Sequence, residues 1–154
     1  MEERVQAIID GSKNDLIWLC EHPSLYTAGR SAKREDLLRD DYLPVYQSGR
    51  GGEYTYHGPG QRVIYVMINL NRYQKDIHAF VSALEAWVIE VLDAFGIMGA
   101  HRKGRPGVWI VSQGETYHED KIAAVGVRVK KWVTSHGICA VSYTHLTLPT
   151  TSRV

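Results

Sequence analysis

The sequence predicts an α+β fold: a sheet with helices on one side, in one domain. Three observations carry this. Short apolar runs come first, one long amphipathic run follows, and apolar runs return after it, an order that argues against regular βαβ alternation. The 154 residues suffice for one buried core. No internal repeat or low-complexity linker divides the chain.

In chain order, "MEERVQAIIDG" reads as the end of an amphipathic helix closed by Gly11. "DLIWLCEHP" reads as a short apolar strand that Pro23 terminates. "SLYTAGRSAKREDLL" reads as a loop and a helical turn, and "YLPVYQSG" as a second strand before a glycine-rich loop. "RVIYVMINL" is almost continuously apolar, as expected of a strand covered on both faces. The clearest helix runs from Asp76 to Phe95. There Ile77, Phe80, Val81, Leu84, Val88, Val91, Leu92 and Phe95 recur at helical spacing. Asp76 supplies a cap and Gly96 a stop. "GVWIVS", "KIAAVGVRVKKWV" and "HGICAV" complete the sheet, with a hairpin turn around "QGETYHED".

Composition excludes several classes. With 18 Lys+Arg against 17 Asp+Glu there is no global electrostatic case for nucleic acid. Cys20 and Cys139 form no disulfide framework or metal spacing, so no metal or cofactor is expected. The first residues carry no signal-peptide pattern, and the apolar runs fall short of the roughly 20 residues a membrane span needs. A cytoplasmic location with no membrane partner is the expectation.

"QSGRGGEYTYHGPGQ" concentrates glycines beside the most apolar strand. Without Cβ atoms the backbone can approach a ligand closely, and Arg50 and His57 can serve as polar contacts there. The spacing fits neither phosphate-binding glycine motif and precedes a strand. A wide hairpin whose glycines only satisfy turn geometry accounts for the same residues.

The loop "GRGGEYTYHGPGQRVIYVMINL" resembles the RGG-x-x-T-x-HGPGQ signature of the lipoyl(octanoyl) transferases. "WLCEHPSLYTAGRSAK", "GRPGVWI" and "KIAAVGVRVKKWVTSHGICAV" resemble further segments of that family in the same order. The resemblance spans about Glu3 to Val141. It implies a mixed sheet with helices packed on it, of the biotin/lipoate protein ligase catalytic-domain type, with a deep acyl tunnel. It also implies transfer of an octanoyl group from acyl carrier protein to a lysine of apo lipoyl domains of 2-oxoacid dehydrogenase and glycine-cleavage proteins. Lys121 matches the catalytic lysine of a Cys/Lys pair. The substrate-contacting loop matches Arg50, Gly51, Gly52, Glu53, Tyr54, Thr55, Tyr56 and His57. Ala124, Val125 and Gly126 match a second contact segment, and Gly137, Ile138 and Cys139 a third.

The chain departs from the family in one respect. Its nucleophilic cysteine belongs to a P-C-G-like motif after the H-G strand, and no such motif occurs here. "SYTHLTLPTTSRV" stands where the family continues differently. The expectation is therefore an incomplete catalytic domain over 1–141 and a non-native tail over 142–154, with little transferase activity. Cys139 reads as a buried inert thiol, and Cys20 as less reactive still. The basic clusters "VRVKK" and "HRKGR" read as solvated edges or as a docking face for an acidic carrier protein. An ATP-using lipoate or biotin ligase relative and a non-catalytic acyl-binding module are the alternatives.

Overall fold

A computed structural model describes residues 1–38, 42–113 and 117–141. Helix α1 (Glu2–Ile9) leads into β1 (Leu16–Cys20) and β2 (Leu25–Ala28), then a 3₁₀ turn, β3 (Val45–Gln47) and β4 (Tyr54–His57). β5 (Gln61–Met67) precedes α2 (Ile77–Asp93), and β6 (Gly99–Ala100), β7 (Val108–Gln113), β8 (Tyr117–Lys130) and β9 (Val133–Val141) follow. The proposed tail, 142–154, lies outside the described residues.

The strands form two sheets. Six of them lie in the order β1-β5-β9-β8-β7-β6, every neighbouring pair antiparallel. The small sheet β3-β2-β4 is mixed, with β2 parallel to β3 and antiparallel to β4. The α+β class is as expected. Two strands were hidden in segments read as loop: β2 inside "SLYTAG" and β4 inside the glycine stretch. Each has only four residues, too few for alternation to stand out against the surrounding turn chemistry.

β5 explains how both faces of the large sheet are covered. Neighbouring residues of a strand point to opposite faces, and Val66 and Met67 are both fully buried. Val66 joins Leu84, Val88, Val108, Ala123 and Ile138 under α2. Met67 joins Val5, Ile8 and Val133 under α1. The helices therefore pack on opposite faces, not on one side as the sequence predicts; α1 is too short to reveal which face it covers. α2 keeps its expected cap, since Asp76 Oδ1 accepts from the amides of His78 and Ala79 at 2.8 and 3.0 Å. The face carrying α1 also carries the small sheet, and the candidate site lies there.

Candidate active site

The glycine stretch is held from both sides by backbone. Gly29 N donates to Glu53 O, Arg30 N to Arg50 O and Ser31 N to Gly52 O, at 3.0, 3.0 and 3.1 Å. From the large sheet, Val127 O accepts from Gly51 N at 3.2 Å. Gly29 is obligatory here, because a Cβ would strike Gly52 O and approach Arg50 Nη1 to 2.7 Å. Gly126, on β8, is the other side of the same slot: a Cβ there would lie 3.2 Å from Arg50 Cδ and 3.3 Å from Gly51 O.

Arg50 fills that slot and is buried. Its Nη2 donates to Thr27 O, Thr27 Oγ1 and Thr55 Oγ1, and its Nη1 to Gly51 O, all within 2.8–2.9 Å. The carbonyls and hydroxyls it holds are thus the protein's own. Burial lowers its pKa, yet a guanidinium stays charged.

His57 extends this network with a defined tautomer. Tyr56 O can only accept, so Gln61 turns its Nε2 toward it (3.2 Å) and its Oε1 toward His57 Nδ1 (2.7 Å). Nδ1 therefore carries the proton, and Nε2 accepts from Thr27 Oγ1 at 3.0 Å. Burial lowers the His57 pKa, with the Gln61 bond opposing and His22 and Arg50 adding to it. His57 is a neutral link in a directed chain running from Arg50 through Thr27 to Gln61. Of the remaining loop residues, Tyr56 stacks edge-on against Tyr26 and bonds Ser24 Oγ (3.2 Å), Tyr54 lies opposite Ala28, and Glu53 is exposed.

Strand register decides which of the other expected residues share this face. Gly126 pairs with Gly137, and Gly137 with Tyr65. Ala124 pairs with Cys139 on the same face. Val125 and Ile138, one step along, send their side chains into the core beneath α2.

By simple alternation Lys121 would follow Ala123 into that core. It does not, because β8 carries a bulge. Val108 pairs with Ala123, the next residue Trp109 pairs with Lys121, and Ile122 is left as the extra residue. A bulge re-aims the side chains beyond it. Ile122 and Ala123 both serve the α2 core, and Lys121 turns to the face of Trp109, Ala124 and Cys139. It lies inside β8 rather than at a strand start, since β8 begins at Tyr117.

The lysine is exposed, but its end rests on the protein. A Cβ on Gly107 would lie 2.7 Å from Lys121 Cε and 3.5 Å from Nζ, and Nζ stands 5.0 Å from the Trp109 ring centroid. Arg105 stacks on that ring at 3.7 Å. Burial lowers the Lys121 pKa, and Arg105 adds to this, while Cys139, Glu85 and Glu53 oppose it. Cys139 is a thiol raised by burial, against the pull of Arg50, the Ala124 backbone and Lys121.

Residues outside the expected set crowd the same face. His22 Nε2 bonds Tyr65 Oη at 2.8 Å and lies 3.8 Å from Cys20 Sγ. His136, at φ +62, brings its ring to 6.2 Å from that of Tyr65. Burial, then Arg50 and Arg128, lower its pKa to about 4. His22 and His136 sit in the segments "CEHP" and "SHG" whose likeness to the family is noted above; Tyr65 has no such signal, being one aromatic in an apolar strand. A cleft of about 360 Å³ lies beyond them, lined by Glu2, Gln6, Arg128, Lys130 and His136 among others. Among the described residues no group of three or more His, Cys, Asp or Glu could hold a metal ion. Nor is any helix there long and apolar enough to cross a membrane.

One glycine-lined face of this α+β domain thus carries Lys121, the Cys139 thiol and two imidazoles of lowered pKa, His57 and His136. Residues 1–148 match the family described as the lipoyl protein ligase A/B catalytic domain, and the chain belongs to that family. It is 57% identical over 144 residues to an octanoyltransferase of Brucella suis, covering 90% of this chain and 54% of that protein. To the octanoyltransferase of Caulobacter vibrioides it is 57% identical over 139 residues, covering 90% and 62%. The chain thus spans little more than half the length of the curated relatives it matches. Among solved structures, a bi-partite lipoate protein ligase from Thermoplasma acidophilum superposes with TM-score 0.63 at 16% identity, covering 92% of this chain and 55% of that one. Lipoate-protein ligase A bound with ATP gives 0.64 at 14%, covering 91% and 60%. These two share the fold.

Proposed function

We propose that residues 1–141 form the catalytic core of an octanoyltransferase, moving an octanoyl group from acyl carrier protein to a lysine of an apo lipoyl domain in the cytoplasm. The observation that carries this reading is the bulge at Ile122, which turns Lys121 onto the face where the glycine stretch, Gly126, Gly137 and Cys139 meet. The octanoyltransferase relatives support the same activity over the ligase alternative.

In this scheme the thiolate of the family's P-C-G cysteine, which residues 1–141 do not contain, adds to the thioester carbonyl, and the carrier's thiolate leaves and takes up a proton. The acceptor amine then attacks the acyl-enzyme, its proton passes to Lys121, and the enzyme thiolate departs. A lysine whose pKa is lowered is suited to taking that proton. The face offers backbone and apolar surface to the acyl chain, where burial contributes about 0.8 kcal/mol per CH₂. Cys139 stays protonated, because burial raises its pKa, and is not the nucleophile.

The test is titration with an octanoyl-pantetheine amide, followed by amide NMR. Shifts are expected at Gly51, Gly126 and Gly137; if those amides do not respond, the reading is wrong. Octanoyl carrier protein should leave Cys139 unmodified by intact mass, and an adduct mapped to Cys139 would make it the nucleophile instead.

A further inference from the structure

We propose that Glu85 is a positioning residue for Lys121: from α2 its carboxylate clamps both ends of the 101–107 turn, whose Gly107 backbone is the floor under the lysine stem. The inference rests on the reading of Lys121 just given.

Glu85 is buried on a helix face otherwise formed by Leu84 and Val88, and both its oxygens are engaged. Oε1 accepts from the Gly107 amide at 2.7 Å and Oε2 from His101 Nδ1 at 2.9 Å. A buried carboxylate is costly to desolvate, and an apolar residue at such a site is often as stable or more so. A charge kept there calls for a purpose beyond packing.

Gly107 supplies one. At φ +119 it brings its backbone so close that a Cβ would lie 2.5 Å from Ala123 O and 2.7 Å from Lys121 Cε. No other residue type fits without moving the lysine. The middle of the turn is pinned as well, since Trp109 Nε1 donates to Arg105 O at 3.1 Å and Arg105 bonds Glu119 at 2.9 Å. Displacing Gly107 would therefore shift Lys121 and its neighbour Arg105 together. The groups that act on the ammonium come from every element around it: Arg105 from the turn, Glu53 from the glycine stretch, Cys139 from β9, the Trp109 ring from β7 and Glu85 from α2. Glu85 favours the charged amine while its clamp fixes where that amine sits.

Glu85→Gln separates the two effects, because the amide oxygen still serves Gly107 while the charge is gone. Lys121 would be followed by the pH titration of its labelled Cε and by its acylation rate at fixed pH, read by mass spectrometry. The expected result is a lower titration midpoint and acylation faster by roughly three- to tenfold, as loss of a nearby carboxylate requires. Glu90→Gln, on the exposed side of α2, should change neither. Glu85→Leu removes the clamp as well as the charge, and a folded Glu85→Leu protein whose Lys121 Hε–Gly107 NOEs, midpoint and rate are all unaltered overturns the proposal. Should that variant not fold, the unmodified chain decides: the Gly107 amide should follow the titration step of Lys121 Cε. A Gly107 amide that ignores the Lys121 step would equally overturn it. None of these readouts requires turnover, so absence of octanoyl transfer cannot be mistaken for failure of the clamp.

Discussion

Arg50 and Lys121 are two cations on one face of one sheet, and the chain treats them oppositely. Arg50 is buried between Gly29 and Gly126, with four acceptors from its own protein. Lys121 stays exposed, its stem on Gly107 and its ammonium near the Trp109 ring. A cation satisfied internally shapes the backbone around it. A cation left with an accessible amine and a lowered pKa can exchange a proton with something that arrives. Sequence spacing groups the two residues as site residues; their surroundings divide them into scaffold and chemistry.

Substitutions that separate these roles test the division. Lys121→Met, in the chain extended by the family's P-C-G segment, should lower octanoyl transfer about 10²- to 10⁴-fold. It should change urea stability by less than about 0.5 kcal/mol, as at other exposed positions. A large stability loss would mean that Lys121 is scaffold too. Arg50→Met should do the reverse, costing about 3–4 kcal/mol in urea unfolding, because Thr27 O and Thr55 Oγ1 lose their charged donor in the interior. A small loss would show that water can replace the guanidinium.

A third test uses pH. The folded pKa of His136 is about 4, below the unfolded value near 6.5. The unfolded chain therefore binds the proton first, and stability is full above about pH 6.5 and lost as pH falls toward 4. After allowance for its partial exposure, the effect is of order 1–2 kcal/mol. Urea midpoints at pH 7 and pH 4.5 measure it, and His136→Gln should flatten the difference. The smallest effect concerns the β8–β9 turn, where Lys131 and Trp132 take φ +48 and +62. Lys131→Asn should stabilise by about 0.5 kcal/mol, since Asn tolerates this conformation better. An unchanged urea midpoint would mean the turn is unstrained.

How much of this is legible in the sequence depends on range. α2 is readable from its periodicity and Asp76 cap, and β5 from its unbroken apolar run, because both signals are local. The glycine stretch is visible as a site, but its purpose is not: Gly29 and Gly126 are far apart in sequence and meet only through Arg50. The facing of Lys121 is hidden for a related reason. Period-two counting would put Lys121 and Ala123 on one face, and only the pairing with β7 reveals the extra residue at Ile122. Glu85 reads as a polar interruption of an apolar helix, and its partners His101 and Gly107 lie in another segment.

The facing of Lys121 is also what can be measured most directly. NOEs from the Lys121 Hε protons should reach the Trp109 ring and Gly107, with those protons shifted upfield by the indole. NOEs from the same protons to Leu84 or Val88 would put the lysine beneath α2 and contradict the account.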